Sequence, residues 1–271
     1  MPFTVSHIAA VLPAGRFPLL RDPLILSAFV IGSMSPDVPY FVPFASWTDN
    51  YAWSYTSHAP LAGFLVNVPV TLSLVTLYWL VLAAPLRALA PHGVRARLPR
   101  NVLRPHLATS LQTATLLVLA AAIGSATHVF WDAFTHEGGF VVTAVPWLQL
   151  PDLVGPLPAY RVLQYLSSIF GMAVVCWSVV RWYRCTPASA TVSAGLGGRW
   201  QLALSAAVIT AGALSWWSLR DLALGATDLS DVQALLVGGL TRSVAFMALV
   251  VLVGSLAARV PMQRLETAGR S

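Results

Sequence analysis

The sequence predicts an all-α fold: a polytopic bundle of membrane-spanning helices. The first observation is composition, since 57% of the 271 residues are hydrophobic and 10% are charged, whereas soluble domains carry about 25% charged residues. The mean hydropathy of +0.71 agrees with this. The second observation is that several apolar segments reach the ~20 residues that a helix needs to cross a bilayer. Together they argue against a soluble fold class.

The apolar segments define the predicted elements in chain order. Residues 24–34 and 38–45 are apolar but short, and prolines interrupt them, which favours a re-entrant or interfacial element packed against protein. Five transmembrane spans are then expected near residues 61–84, 107–127, 163–183, 201–219 and 236–258. We expect a single domain over 1–271, in which 1–60 form an N-terminal segment on the outer face, 61–258 the bundle and 259–271 a cytoplasmic tail.

Arginine is unevenly distributed between the connections, and this orients the spans. The loop between the first two spans holds five arginines and no acidic residue, and the connection after the third span holds three arginines and no acidic residue. The connections that alternate with these loops carry more acidic residues than arginines, or similar numbers of both. By the positive-inside rule, the basic loops and the C-terminus are cytoplasmic. The net charge of +6 therefore indicates topology, and we expect no nucleic-acid partner.

A short motif near the middle of the chain carries the strongest chemical signal. His128, Asp132 and His136 are spaced four residues apart, so on one helix their side chains would share one face. Imidazole and carboxylate groups are ligands for zinc and similar divalent metals. The motif follows an apolar stretch directly, which predicts a metal site at the outer membrane boundary.

Three further metal-capable residues, His7, Asp37 and His58, are expected on the same side of the membrane. With the central motif they make six candidate ligands, more than one zinc ion usually takes. A site of two ions about 3.5–4 Å apart and a site of one ion with outer carboxylates that orient the histidines both remain open. Zn is the expected metal, with Mn or Fe as alternatives. The alternative interpretation is that each histidine is an ordinary amphipathic residue at the membrane interface, which forms hydrogen bonds and binds no metal.

Four sequence blocks also resemble a bacterial family of uncharacterised membrane proteins. The blocks are MPFTVSHIAAVLP, GSMSPDVPYF, TSHAPLAG and THVFWDAFTHEGG. The family is grouped with LexA-regulated inner-membrane proteins that are similar to metal-dependent hydrolases, and more distantly it resembles zinc-dependent phospholipase C and the S1/P1 nucleases. The resemblance implies the bacterial cytoplasmic membrane and the same six metal ligands. The segment around Tyr165 resembles one in which the family often carries histidine, and Gln164 remains there as a polar group.

The expected function is a membrane-embedded, metal-dependent hydrolase that acts at the outer interface on a phosphoester of a lipid or lipid-linked substrate. Glu137 is a candidate general base for metal-bound water, and Arg161 a candidate for holding a phosphate group. The alternative is a non-enzymatic membrane protein that binds or transports metal ions, with His and Asp along an ion path. A third interpretation is a scaffold without metal. The sequence leaves the oligomeric state open.

Overall fold

The described part of the chain is mostly helical. A computed structural model describes residues 4–18, 22–42, 53, 55–59, 61–98, 110–151, 153–155, 157–190, 192, 195–220, 224–225 and 229–268. It is 81% helical, and no β-strand forms among these residues. The predicted all-α class is confirmed.

Ten α-helices have described bounds, in addition to a short helical stretch at residues 55–58. They are α1 (Ile8–Val11), α2 (Pro23–Gly32), α3 (Ala62–Leu77), α4 (Ala83–Leu89), α5 (His92–Arg95), α6 (Leu111–Asp132), α7 (Phe140–Ala144), α8 (Ala159–Cys185), α9 (Gly198–Trp217) and α10 (Leu229–Ala268). Short 3₁₀ segments cover Thr4–His7, Leu12–Arg16, Ser35–Phe41 and Pro146–Gln149, and a π-helical turn, Tyr78–Leu82, joins α3 to α4.

Four helical segments of the described chain are long and apolar enough to cross a membrane. They are Gly63–Leu89, Leu111–Asp132, Ala159–Cys185 and Leu235–Arg259. The number rises to five if α2 and Ser35–Phe41, which bend by 62° relative to each other, form one broken span or a re-entrant loop. The predicted span 201–219 corresponds to α9, which is a helix but is not among these four. The chain therefore has the helices of a membrane protein, with a count of four to five.

The helices form two compact units, and the prediction of a single domain stays a prediction. Unit 1 comprises Met1–Pro39, Tyr51–Val75 and Pro105–Cys185. In it, α2 packs along α6, and the N-terminal segment Thr4–His7 packs on α8. All six candidate metal ligands belong to unit 1.

Unit 2 comprises Tyr40–Asn50, Thr76–Arg104 and Thr186–Ser271. Its two long helices, α9 and α10, pack against each other, and α10 also contacts α4. A small buried core joins Ala88, Leu89, Leu196 and Ala258. The side-chain amide of Gln201 donates to the carbonyl of Leu89 at 2.9 Å, which satisfies a carbonyl at the end of α4.

Candidate metal centre

Two glycines allow the backbones of α2 and α6 to touch. A Cβ atom on Gly32 would lie 2.7 Å from the carbonyl oxygen of Ala121, and one on Gly124 would lie 3.0 Å from the amide nitrogen of Ser33. Side chains at either position would separate the helices. This close approach places the carbonyl of Ser33 2.8 Å from Nδ1 of His128. Because a carbonyl only accepts, Nδ1 carries the proton, and Nε2 of His128 presents its lone pair.

Asp37 is placed by the chain break that follows α2. It lies in the 3₁₀ segment Ser35–Phe41 and is 2% exposed. The hydroxyl of Thr4 donates to its Oδ2 at 2.6 Å. A hydrogen bond of this length to a carboxylate is charge-assisted. It holds one oxygen, so that Oδ1 is the atom that faces the histidines.

His58 lies at the end of a short helical stretch, residues 55–58, immediately before α3. The Ser57 hydroxyl donates to the carbonyl of Pro36 at 2.7 Å, and its oxygen lies 3.2 Å from Nδ1 of His58. The side chain of Asn67 in α3 donates to the Ser57 carbonyl at 2.7 Å. These bonds tie His58 to the Asp37 segment and direct its Nε2 toward Asp37 and Asp132.

His7 is fully buried and enters from the N-terminal 3₁₀ segment. Gly171 of α8 allows this segment to pack closely, because a Cβ there would lie 2.8 Å from the carbonyl oxygen of Ser6. The ring of His7 stacks on that of His128 with 3.8 Å between centroids. Neither ring nitrogen of His7 has a hydrogen-bond partner among the described residues, and Nε2 lies 3.4 Å from Asp132 Oδ1. Such buried polar atoms usually have a partner in native proteins, often an ordered water, so a water molecule or an ion is expected here.

The helix that carries the central motif ends earlier than the sequence predicts. α6 ends at Asp132, and residues 133–136 form a turn, so the three motif residues do not share one helix. Gly138, with φ of 75°, adopts the left-handed conformation that favours glycine near a helix end. His136 still returns to the site, with Nδ1 3.4 Å from Asp132 Oδ1, because its amide donates to the Asp132 carbonyl at 3.0 Å.

Four of the six candidate ligands form one compact group. One ligand atom from each of Asp37, His58, His128 and Asp132 lies within 4.8 Å of all the others. His58 Nε2 is 3.6 Å from Asp37 Oδ1 and 3.5 Å from Asp132 Oδ2. His128 Nε2 is 3.6 Å and 3.3 Å from the same two oxygens.

The spacing of this group suits a shared divalent ion. Direct hydrogen bonds between nitrogen and oxygen measure about 2.7–3.2 Å, so these pairs are too far apart to be well bonded to each other. Two ligands bound at about 2.0–2.1 Å to a tetrahedral ion lie about 3.3–3.4 Å apart. In addition, the buried atoms His128 Nε2 and Asp132 Oδ1 have no hydrogen-bond partner among the described residues. The two imidazoles and two carboxylates therefore fit a metal ion.

Three histidines outside the membrane-spanning segments have shifted pKa values. Burial, followed by repulsion from His128, lowers the pKa of His7 to about 3, so its imidazole is neutral. Burial alone would lower the pKa of His58, but contacts with the carboxylates of Asp132 and Asp37 outweigh burial and raise the pKa to about 9. Burial lowers the pKa of His136.

A family model covers nearly the whole chain, residues 1–259. The chain belongs to the DUF4184 family. That family is described as a domain of unknown function, so membership names no reaction. No curated protein and no solved structure matches the chain. The expected relation to LexA-regulated proteins and to phospholipase C is not shown.

The two candidate catalytic residues of this DUF4184 protein lie outside the compact group. Glu137 is exposed, and the hydroxyl of Tyr160 lies 3.5 Å from its Oε2. Arg161 donates from Nη1 to Oε1 of Gln164 at 3.2 Å. Their catalytic roles stay predictions.

Gln164 is a site residue whose importance the sequence did not reveal. It is fully buried, whereas the neighbouring Tyr165, at the position where a further histidine was considered, is 41% exposed. The Gln164 amide nitrogen lies 2.8 Å from Nε2 of His136. A signal was available, since Arg161, Gln164 and Ser168 form a polar stripe at helical spacing on the otherwise apolar α8. Thr4 also contributes, through Asp37, without a comparable signal.

An apolar cleft lies beside the candidate metal centre of the DUF4184 chain. Its volume is about 410 Å³. Trp131 lines it and also contacts the ring of His7, with 5.5 Å between centroids. The Trp131 indole donates to Ser167 at 3.2 Å, which fixes this wall. The cleft is lined by Ala10, Thr127, Phe130, Trp131, Phe134, Thr135, Leu163 and Ser167.

Proposed function

We propose that this DUF4184 protein is a membrane-embedded, metal-dependent hydrolase that acts on a phosphoester of a lipid or lipid-linked substrate at the outer membrane interface. The observation that carries the proposal is the group Asp37, His58, His128 and Asp132, spaced for one divalent ion. Buried polar residues at a membrane boundary are costly and are therefore usually functional.

Each of the four residues has a defined part in this proposal. His58 and His128 bind through Nε2, because Ser57 and Ser33 engage their Nδ1 atoms. Asp37 binds through Oδ1, and Asp132 supplies the second carboxylate. Such a nitrogen and oxygen set suits Zn, Mn or Fe. A bound ion of this class lowers the pKa of a coordinated water toward neutrality and polarises a phosphoryl oxygen.

Access to the site supports a lipid substrate. The side chains of His58 and His136 are 25% and 30% exposed, so one edge of the group reaches solvent. The apolar cleft opens beside Trp131, between residues of α6 and α8, both of which are long enough to span a membrane. An acyl chain can occupy such a cleft while the headgroup reaches the polar edge. The choice of a phosphoester rests on the distant resemblance to phospholipase C, which is an analogy.

A second candidate function is a non-enzymatic metal-binding protein. Its supporting observation is the number of grouped residues: four protein ligands can fill a tetrahedral zinc site completely, as in structural sites. Ion transport receives less support, because the candidate ligands are clustered in one place and are not distributed along α6. The two candidates differ in whether the ion keeps a position for water or substrate.

The test combines metal analysis with turnover. The purified protein in lipid nanodiscs is loaded with Zn or Mn, and its metal content and hydrolysis of a diacylglycerol phosphodiester and a polyprenyl phosphate ester are measured. We expect bound metal and hydrolysis in the wild type and loss of both in Asp132→Asn. Asp231→Asn, in unit 2, is the matched control and should retain both. If metal binds without turnover, the non-enzymatic function is favoured, in which four protein ligands fill the coordination of the ion. If no metal binds, both proposed functions are refuted.

A further inference from the structure

A chain of polar contacts runs from Arg161 to the metal centre. Arg161 Nη1 lies 3.2 Å from Gln164 Oε1, and Gln164 Nε2 lies 2.8 Å from His136 Nε2. His136 Nδ1 then lies 3.4 Å from Asp132 Oδ1. The chain therefore ends on one of the four grouped ligands.

The chemistry of these groups determines the direction of each hydrogen bond. A guanidinium group only donates, so the glutamine atom that faces Arg161 is the carbonyl oxygen. The amide NH₂ of Gln164 consequently faces His136 and donates to Nε2. A neutral imidazole that accepts at Nε2 carries its proton on Nδ1.

The other side of the His136 ring supports the same assignment. Thr135 Oγ1 lies 3.2 Å from His136 Nδ1, and the Thr135 hydroxyl donates to the carbonyl of Trp131 at 3.4 Å. Because that hydroxyl proton points at Trp131, a lone pair of Oγ1 faces Nδ1. Both partners of Nδ1, this oxygen and Asp132 Oδ1, are acceptors.

We propose that His136 is a positioning residue whose Nδ1–H faces Asp132, and that the metal centre is consequently mononuclear. This inference rests on the proposed metal site. Coordination through Nδ1 would require His136 to lose the proton that Gln164 and Arg161 keep there. Among the described residues, a second ion beside Asp132 Oδ1 would then have His7 and that oxygen as protein ligands, fewer than the three that even an open zinc site usually has.

The contrast with His128 makes the division of roles specific. In His128 the bond from Nδ1 to the Ser33 carbonyl leaves Nε2 free toward the two carboxylates. In His136 the nitrogen with the free lone pair is Nε2. It points away from the four grouped ligands and accepts a hydrogen bond from Gln164. The N–H of His136 faces Oδ1 at 3.4 Å, and Oδ2, the atom nearest His58 and His128, is left to coordinate.

The experiment compares two substitutions at Gln164. Glutamate has nearly the same shape but only accepts, so in Gln164→Glu the proton of His136 moves to Nε2 and Nδ1 can become a fifth ligand. Gln164→Ala removes the bond without replacing it. If Gln164 had only a packing role, the isosteric glutamate would disturb the site less than alanine does. Gln112→Glu, at an exposed glutamine in the first turn of α6, is the control.

The readouts are zinc stoichiometry and ¹⁵N NMR of histidine-labelled protein, with His136 assigned by its loss in His136→Asn. We expect one zinc per chain, Nδ1–H at His136 in the wild type, and Nε2–H in Gln164→Glu. Because Gln164 contacts His136 and not a metal ligand, we expect Gln164→Ala to weaken zinc binding by less than the ~10–100-fold typical of direct outer partners of metal ligands, with the same stoichiometry. Zinc-coordinated Nδ1 in the wild type, or two ions falling to one in His136→Asn, would overturn the inference. If the protein does not bind zinc, the proposed function is refuted. The His136 tautomer is tested independently of that result, because NMR also measures it in the metal-free protein.

Discussion

Replacing Thr4 by valine removes one hydroxyl from the candidate metal centre and keeps the shape of the side chain. That hydroxyl donates to Asp37 Oδ2 at 2.6 Å, and Asp37 is 2% exposed, so water cannot readily replace it. A hydrogen bond to a charged group contributes about 1.5–3 kcal/mol. If the whole of this free energy stabilises the zinc-bound state and none of it the zinc-free state, its loss lowers the zinc affinity by about 10–150-fold. This range agrees with the ~10–100-fold that is typical of outer partners of metal ligands. We therefore expect Thr4→Val to bind zinc about 10–100-fold more weakly.

Competition with a chromophoric chelator in detergent measures this affinity. Thr4→Ser retains the hydroxyl and should bind close to the wild-type value. Thr143→Val makes the same change at an exposed position in α7 and should have no effect. Zinc affinity of Thr4→Val within about twofold of wild type, or ~0.4 kcal/mol, would refute the assignment of Asp37 as a ligand oriented by Thr4.

Three other predictions follow from different parts of the molecule. Asn67→Leu removes two buried hydrogen bonds and should lower the free energy of unfolding in detergent by about 1–3 kcal/mol; an unchanged unfolding curve would contradict this. Because the pKa of His58 is raised to about 9, this imidazole is protonated at pH 7 and must lose its proton to bind zinc. The zinc affinity should therefore rise with pH up to about 9. Calorimetry in buffers of different ionisation enthalpy should detect the released proton. Zinc binding without proton release would count against His58 as a ligand. Gly93→Cys, in a protein with Cys176 and Cys185 replaced by serine, should react with a membrane-impermeant thiol reagent only after permeabilisation; labelling of intact cells would reverse the proposed orientation.

Local sequence pattern was sufficient for the class of fold and for one pair of site residues. Apolar segments of spanning length predicted helices, and α3, α6, α8 and α10 overlap four of the five expected spans. The four-residue spacing also placed His128 and Asp132 on one helical face, where their side chains lie 3.3 Å apart. Such features depend on neighbours within one element, so periodicity carries them.

The same reasoning failed where the chain leaves the helix. Spacing alone extended α6 to His136, but the helix ends at Asp132 and a turn returns the imidazole to the site. The span expected near residues 201–219 does form as the helix α9, and its crossing of the membrane stays a prediction. The ends of elements depend on capping and tertiary contacts, which hydropathy does not contain.

By itself, the sequence determined an all-α membrane protein and supplied six metal-capable residues, whose position near one membrane face stays a prediction. The tertiary structure decided which of them meet. Contact between the backbones of α2 and α6 at Gly32 and Gly124 brings the Ser33 carbonyl to His128, and Gln164 holds the far side of His136. These contacts join residues far apart in sequence, and a ligand's role depends on which nitrogen keeps its proton. That proton is placed by a hydrogen-bond partner from another element, which no spacing along the chain specifies.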